Sequence, residues 1–441
     1  MRTALSTLVM IIAISALAIP AARLSSGSGT SMGDSSYVLV GGQNGTWFDA
    51  GQTPRLERVD LGNYSVTPLT PAPSTSSQPG TVWGGAWNGS QWLISGFGED
   101  DGSSGSNPYI YLYDGQNQIL AGTLNQSQSE LSWQGGDIFA ASYNGKEWLL
   151  SGLGSGLLSS YNSVNATNHM SLATFDGYKF TDLSNVVPDQ QDGILYANAW
   201  NGRYWLVGGG YKDIGVLFSF DGRKITDLTN NITEAVPEFG SVQALAWNGH
   251  YWLIGGYHFL AAYDGHKFTD LTDKLGSVLS SSSSCCTAVN AIAWNGAEWM
   301  LGGGTPISQT NSSQAWLVTY SSKSLVNLTP EIHRTVAELT SDSSILTIAA
   351  APNSWVIGGY LKNQGLLYEY SGVSFTNLSY LVSNYTYVNW VGVGATQNHI
   401  QPISTHPTTR NHAIIPESRM MNQHKAWIAG NLHSFEMDRF D

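Results

Sequence analysis

The chain has 441 residues, only 12% of them charged, with 49 Gly, 16 Trp and a formal net charge of −13. So few charges beside so many turn formers and aromatics exclude a long helical bundle, and no stretch gathers the Lys and Arg that a nucleic acid partner needs. At this length the chain holds either two or three ordinary domains or one large domain built from repeated units.

Residues 1–24 open with Arg2, run apolar from Ala4 to Ala18 and then turn to small residues. This is the pattern of a secretory signal, with Ala16-Leu17-Ala18 as the small-x-small cleavage sequence; an uncleaved membrane anchor is the alternative and the one expected contact with a membrane. Either reading places the rest of the chain outside the cell, secreted or at its surface. Residues 25–36 are Ser/Gly-rich and read as a flexible spacer.

From residue 37 to 394 the chain repeats itself. "GGAWNGSQWLISG", "AASYNGKEWLLSG", "ANAWNGRYWLVGG", "ALAWNGHYWLIGG" and "AIAWNGAEWMLGG" are followed by a worn copy, "AAAPNSWVIGG", spaced by about fifty residues. Each continues into a second pair, as in "LATFDGYKFTDLS" and "LAAYDGHKFTDLT". Asn-Gly and Asp-Gly between β-rich runs predict two-residue type I′ hairpins. Each unit then has four strands, A to D. Four antiparallel strands repeated radially predict an all-β, seven-bladed β-propeller. "YVLVGG" at Tyr37 is a B strand without an A strand before it, and "YVNWVGVG" at Tyr387 is an A strand without a B strand after it. Their union by strand exchange between the two ends would complete the seventh blade and leave no unpaired edge at the join. An eighth blade around "AWIAG", Ala426 to Gly430, is the alternative.

Asn-x-Ser/Thr acceptors stand at Asn44, Asn63, Asn88, Asn125, Asn165, Asn231, Asn311, Asn327, Asn377 and Asn384, and an exported chain makes them glycosylation candidates. Cys285 and Cys286 are adjacent and cannot staple a fold; they form a vicinal disulfide or are two small residues of a Ser-rich loop. Residues 395–441 abandon the repeat and read as a divergent tail. Its His399, His406, His412, His424 and His433 have no ligand-like spacing, so no metal and no cofactor is expected.

With Gly-Gly closing strand B and aromatics in strands C and D, the unit resembles the kelch repeat over residues 37–394, and the chain is similar to exported surface propellers of archaea. That resemblance implies the propeller fold and no single activity, since kelch-type propellers include protein-binding platforms and a group of copper oxidases. The Asp-Gly-x-x-aromatic turn also looks like the Asp-box of sialidase-type propellers, with a departing spacing.

The repeat tryptophans Trp87, Trp92, Trp148, Trp200, Trp205, Trp247, Trp252, Trp294, Trp299 and Trp355 are expected to pack between blades. Asp182, Asp227 and Asp270, at the end of strand D, read as solvated rim charges that discourage edge pairing rather than as catalytic groups. The A-to-B and C-to-D turns are alike among the copies and share one face of the disc. The B-to-C and D-to-A connections vary and share the other, where binding residues are expected. On that side, four residues before the end of strand A, stand Trp83, Phe139, Tyr196, Gln243, Asn290 and Asn389. Aromatics and amides around a channel mouth suit stacking on sugars or gripping a peptide; filling the channel is the plainer alternative. Glu99, Asp100, Asp101, Asp137, Asp189 and Asp192 are the acids available to a glycosidase on this face, but nothing in the sequence fixes the separation two catalytic carboxylates need. The expected function is a non-catalytic binding module for surface protein or glycan, with an exported carbohydrate-active enzyme and a structural envelope component as alternatives. The oligomeric state is not legible from the sequence.

Overall fold

The computed structural model describes residues 37–45, 53–69, 80–99, 106–115, 118–123, 136–155, 168–187, 193–211, 214–279, 287–306, 313–321, 324–335 and 342–394. They form seven four-stranded antiparallel sheets, each with its strands in simple meander order. Blade 1 comprises Gly80–Trp87, Trp92–Glu99, Ser106–Tyr113 and Gln118–Thr123; blade 2, Gly136–Tyr143, Trp148–Ser155, Asn168–Phe175 and Phe180–Asp182. Blade 3 comprises Ile194–Trp200, Trp205–Tyr211, Ile214–Phe220 and Ile225–Asp227; blade 4, Val242–Trp247, Trp252–Gly256, Leu260–Tyr263 and Phe268–Asp270. Blade 5 comprises Ala288–Trp294, Trp299–Pro306, Ser313–Tyr320 and Leu325–Asn327; blade 6, Ser343–Ala350, Trp355–Leu361, Gln364–Tyr370 and Phe375–Asn377.

The seventh blade is the seam. Its strand A is Tyr387–Gly394 and its strands B, C and D are Tyr37–Asn44, Thr53–Asp60 and Val66–Pro68. Tyr37 pairs with Gly394 and Gln43 with Tyr387, so chain segments about 350 residues apart share one sheet. The A strands of successive blades touch in a closed cycle and line the axis. The chain is a seven-bladed β-propeller, as its spacing predicts; the segment around Ala426 and the Cys285-Cys286 pair lie outside the described residues.

The hairpins explain the Trp-Asn-Gly-x-x-Trp rhythm. In five blades the Asn side-chain oxygen, at Asn88, Asn144, Asn201, Asn248 and Asn295, accepts backbone N–H groups two and three residues on at 2.8–2.9 Å. Positive φ, 93–101°, is confined to the following glycine. That is the pattern of a II′ turn with Gly first of the two central residues, not the expected I′. The Asn sits one place earlier than a I′ turn requires, because its side chain serves as a local acceptor. A pair of positive φ values typical of I′ occurs instead at Lys362 and Asn363, between strands B and C of blade 6.

At these turns rings pack across the blades, most fully in blade 2. In blade 2, Tyr143 meets Trp148 at 4.9 Å, Trp148 meets Phe175 at 5.9 Å and Phe175 stacks on Phe180 at 4.3 Å. Trp148, Trp205, Trp252 and Trp299 are fully buried. Their packing crosses blades as expected: the Trp148 indole N–H donates to Ala86 O of blade 1 and that of Trp299 to the Tyr251 hydroxyl of blade 4.

Strand D is only three residues long in blades 2 to 6, and a polar clip ends it. Asp182, Asp227, Asp270, Asn327 and Asn377 each accept the N–H two residues on at 2.8–2.9 Å. That next residue is Ser or Thr, and its hydroxyl accepts a strand C N–H at 3.0–3.2 Å. The repeated Asp is therefore more than a rim charge: it turns the chain out of the sheet and into the short helices Thr229–Ala235, Thr272–Leu279 and Thr329–Thr335.

The Gly-Gly doublet of strand B has two separate causes. A Cβ on its first member would strike the branched residue on strand A of the next blade, as Gly358 would Val388 at 2.6 Å and Gly208 would Val242 at 2.5 Å. A Cβ on its second member, which follows Ser95 and Ser151 instead of Gly in blades 1 and 2, would overlap a carbonyl oxygen at the start of strand A in the same blade: Thr81 for Gly96, Asp137 for Gly152, Ser241 for Gly256, Ser344 for Gly359 and Tyr387 for Gly42. Gly256→Ala should therefore destabilise the fold by about 1–3 kcal/mol, an overpacking cost, and more than Gly62→Ala, where φ is not positive and an added methyl meets only the Asp60 carboxylate, at 3.2 Å. Urea unfolding midpoints of the two variants check this ordering.

Candidate functional site

The carbonyls that demand those glycines are displaced by β-bulges. Strand A of every blade slips register by one residue at the same point: at Trp83, Phe139, Tyr196, Gln243, Asn290, Leu346 and Asn389. A bulge inserts an unpaired residue and re-aims its side chain. Six of the seven are the residues singled out from the sequence. The seventh, Leu346, lies four places before Ala350, where the worn repeat lacks its Trp; counting back from the strand end would have found it.

The structure brings these residues into one ring about the axis but buries them. Trp83, Gln243 and Asn290 are 0% exposed, Phe139 and Asn389 1%, Leu346 3% and Tyr196 7%. They do not form an open mouth. On one side the rings meet in sequence, Trp83 to Phe139 at 5.4 Å and Phe139 to Tyr196 at 5.5 Å. On the other the amides reach to neighbouring backbone or hydroxyls. Asn290 Nδ2 donates to Ser344 Oγ at 3.0 Å and Ile345 O at 3.1 Å in the next blade, and Asn389 Nδ2 donates to Thr81 Oγ1 at 3.0 Å across the seam. Gln243 Nε2 donates to Ser241 Oγ at 3.1 Å. The amide oxygens of Gln243, Asn290 and Asn389 are buried without a protein partner.

Further polar side chains tie the inner strands together. Asn198 donates to Ala140 O at 3.1 Å and to Ser151 Oγ at 2.7 Å in blade 2, and accepts from Ser142 Oγ. Thr347 Oγ1 accepts the Val391 N–H at 3.1 Å. Each satisfies a group that an inner edge strand would leave unpaired.

Of the acids considered for catalysis, Asp137 is placed on an inner strand, two residues before the bulge of blade 2 and half-buried. The side chain of Glu99 and all of Asp100, Asp101, Asp189 and Asp192 lie outside the described residues. Among the described residues no group of three or more His, Cys, Asp or Glu is placed to hold a metal ion. A crevice lined by His258, Phe259, Thr272, Leu275, Thr287 and Val289 encloses only about 10 Å³, room for one water. His258 there has φ +68° in the short B-to-C connection of blade 4, a residue the repeat pattern did not single out. Burial holds the Tyr109 hydroxyl well above its ordinary pKa, and it donates to Thr81 O at 2.8 Å.

No family model matches the chain, and no curated protein matches it by sequence. Among solved structures it is similar to the acylaminoacyl peptidase of Pyrococcus horikoshii, at a TM-score of 0.44 and 10% identity over 78% of this chain; it spans about half of that protein, 50%. It is also similar to the β-propeller domain of the Trilobed protease from Pyrococcus furiosus, at 0.36 and 12% over 68% of this chain and 84% of that one. A putative 6-phosphogluconolactonase from Bacteroides uniformis matches at 0.45 and 10% over 82% of this chain and 100% of that one. These are likenesses of fold alone.

The ring makes a sharp contrast between two amides. Asn290→Leu should cost about 1–3 kcal/mol by removing the donor to both Ser344 Oγ and the Ile345 carbonyl, which keeps a long Ser344 contact at 3.4 Å, whereas Gln243→Leu, which gives up one hydrogen bond to Ser241 together with a buried oxygen without a partner, should change stability by less than about 1 kcal/mol. Chemical denaturation of both variants checks this difference.

Proposed function

We propose that the chain is an exported or cell-surface propeller that acts as a non-catalytic binding module, engaging surface protein or glycan through the face that carries the B-to-C and D-to-A connections. The observation that carries this reading is the asymmetry of the two faces. Every A-to-B connection in blades 1 to 6 is four residues long, from 88–91 to 351–354, and so is every C-to-D connection there, from 114–117 to 371–374. The B-to-C connections range from two residues at Lys362–Asn363 to the whole of 156–167, and the D-to-A connections from 378–386 to 271–287. One face is fixed by turn chemistry; the other is free to change while the scaffold stays constant, which is the usual placement of recognition residues.

The bulge ring lies at the floor of that face in this reading. Trp83, Phe139, Tyr196, Gln243, Asn290 and Asn389 would support a ligand bound above them and seal the axis beneath it. Export rests on the apolar run at residues 4–18. Glycosylation is part of the same proposal. Asn44, Asn63, Asn231 and Asn377 are exposed, Asn384 is exposed but its Nδ2 reaches Glu57 Oε1 at 3.5 Å, Asn88 and Asn327 are half-buried with Asn327 Nδ2 held by Val278 O at 3.1 Å, and Asn125, Asn165 and Asn311 lie outside the described residues.

Glycan-array and surface-extract binding by the full chain tests the reading. Replacing the 156–167 connection by the two-residue Lys-Asn turn of blade 6 should weaken binding at least about tenfold, as for loss of 1.4 kcal/mol or more. Arg203→Ala and His250→Ala, at exposed turns of the constant face, should leave it within about twofold. Binding lost equally from both faces, or found with no glycan and no extract, would remove the proposal.

A further inference from the structure

The seam blade holds the densest group of buried polar atoms without partners among the described residues. In its strand C, Thr53, Arg55 and Glu57 alternate onto one face, opposite Asn44, Gly42 and Val40 of strand B. Thr53 Oγ1, Arg55 Nε and Glu57 Oε2 are all buried and without a hydrogen-bond partner. The chain entering strand A covers this face. Tyr385 lies against Gly42, where an added Cβ would be 3.1 Å from its ring, and its hydroxyl donates to Val40 O at 3.1 Å. Thr386 N donates to Gln43 O at 2.8 Å, and Asn384 Nδ2 donates to Glu57 Oε1 at 3.5 Å. Glu57 is 6% exposed. It comes from the N-terminal part of the ring, and its one hydrogen-bond donor among the described residues, Asn384, from the C-terminal part.

We propose that Glu57 is a proton-operated clasp on ring closure: the seam between Tyr37–Asn44 and Tyr387–Gly394 is tightest with this carboxyl protonated and loosens when it ionises. An ionised Glu57 would keep one long hydrogen bond and one bare buried oxygen, a costly state that opening the seam to water relieves. The titratable groups that face it are Arg55, on its own strand, and Tyr385, on the covering segment. Burial raises the Glu57 pKa, the Asn384 hydrogen bond and the attraction of Arg55 lowering it by less. Burial holds the Tyr385 hydroxyl well above its ordinary range, so it stays neutral. The sign follows. A folded-state pKa above the unfolded value means that the stabilising contribution is full below the unfolded value, about 4.3 for Glu, and is lost as pH rises through the folded value.

Thermal unfolding of the full chain between pH 4.5 and 8, compared with Glu57→Gln, tests the clasp. At pH 8 the variant should melt about 2–4 °C higher than the native chain, and the gap should close by pH 4.5. A gap of equal size at both ends, or a lower melting point at pH 8, overturns the proposal. Hydrogen exchange at pH 7 localises the effect. Amides of Val388 to Val393 should exchange about threefold more slowly in Glu57→Gln, with those of Val242 to Trp247 unchanged; equal change in both, or none at the seam, overturns it. Should Glu57→Gln not fold, Asn384→Asp reads the same coupling with opposite sign: faster seam exchange than in the native chain at pH 7 and the same rate at pH 4.5. Seam exchange unaltered at pH 7 would then overturn the clasp.

Discussion

The structure turns on a contact between one carbonyl and one missing methyl group, repeated seven times. In each blade the bulge in strand A pushes a carbonyl into the space beside the last glycine of the strand B Gly-Gly or Ser-Gly pair. Only a residue without Cβ fits there. The bulge in turn sends one side chain per blade into the ring about the axis, and the first glycine of the doublet admits the next blade's branched residue, as Gly358 does Val388. Ring composition, blade spacing and register are thus set by one local irregularity. In a regular strand A, the residue at this position would follow the alternation of its neighbours instead of standing as the extra, re-aimed one.

A propeller has an inner edge and an outer edge in every blade, and this chain treats them differently. Inner edges face a buried axis, where an unpaired backbone group is costly. They are served by side chains from neighbouring blades: Asn290 on the Ile345 carbonyl, Asn198 on that of Ala140, and Thr347 on the Val391 amide. Where blades 1 to 3 bring Trp83, Phe139 and Tyr196 instead, ring contacts fill the space. Outer edges face water, and in blades 2 to 6 they are simply short: the clip of Asp or Asn, Leu, and Ser or Thr stops strand D before it offers a length worth pairing.

Blade number, strand order and the exchange of strands at the seam were legible in the sequence because each rests on local chemistry at fixed spacing: a glycine with positive φ, an Asn or Asp that turns the chain, a strand B glycine beside which no Cβ fits. The position of the ring residues was legible for the same reason, by counting from the Trp at the strand end. Their burial was not. A bulge breaks the alternation of faces from which exposure is judged, and nothing in "TVWGGAW" marks Trp83 as the extra residue. The turn type was misjudged at Asn201, whose side chain takes the acceptor role that places Gly202 first in the turn. Glu57 could not be found at all, because "TPRLERVD" resembles no other strand C and its partner Asn384 lies 327 residues away.

Closure is where the energetics of the ring are most exposed. Six blades are made of strands joined by short connections, but the seventh brings together segments about 350 residues apart. Against a four-residue turn, closing a loop of that length costs about 4 kcal/mol more in chain entropy. A net hydrogen bond returns only about 1 kcal/mol, so a bare strand pairing would leave the seam the weakest joint of the ring. The added contacts gather there accordingly: Tyr385 on Val40, Thr386 on Gln43 and on the Gly45 amide, Asn389 on Thr81, and Tyr64 on Glu369 of blade 6. A buried carboxyl among them is the one member whose contribution changes sign with its charge. The ring could have been closed by apolar packing alone, as Val38, Val40, Val388 and Val391 show in the same cluster. Placing Glu57 beside that packing makes the strength of the joint respond to the solution outside it.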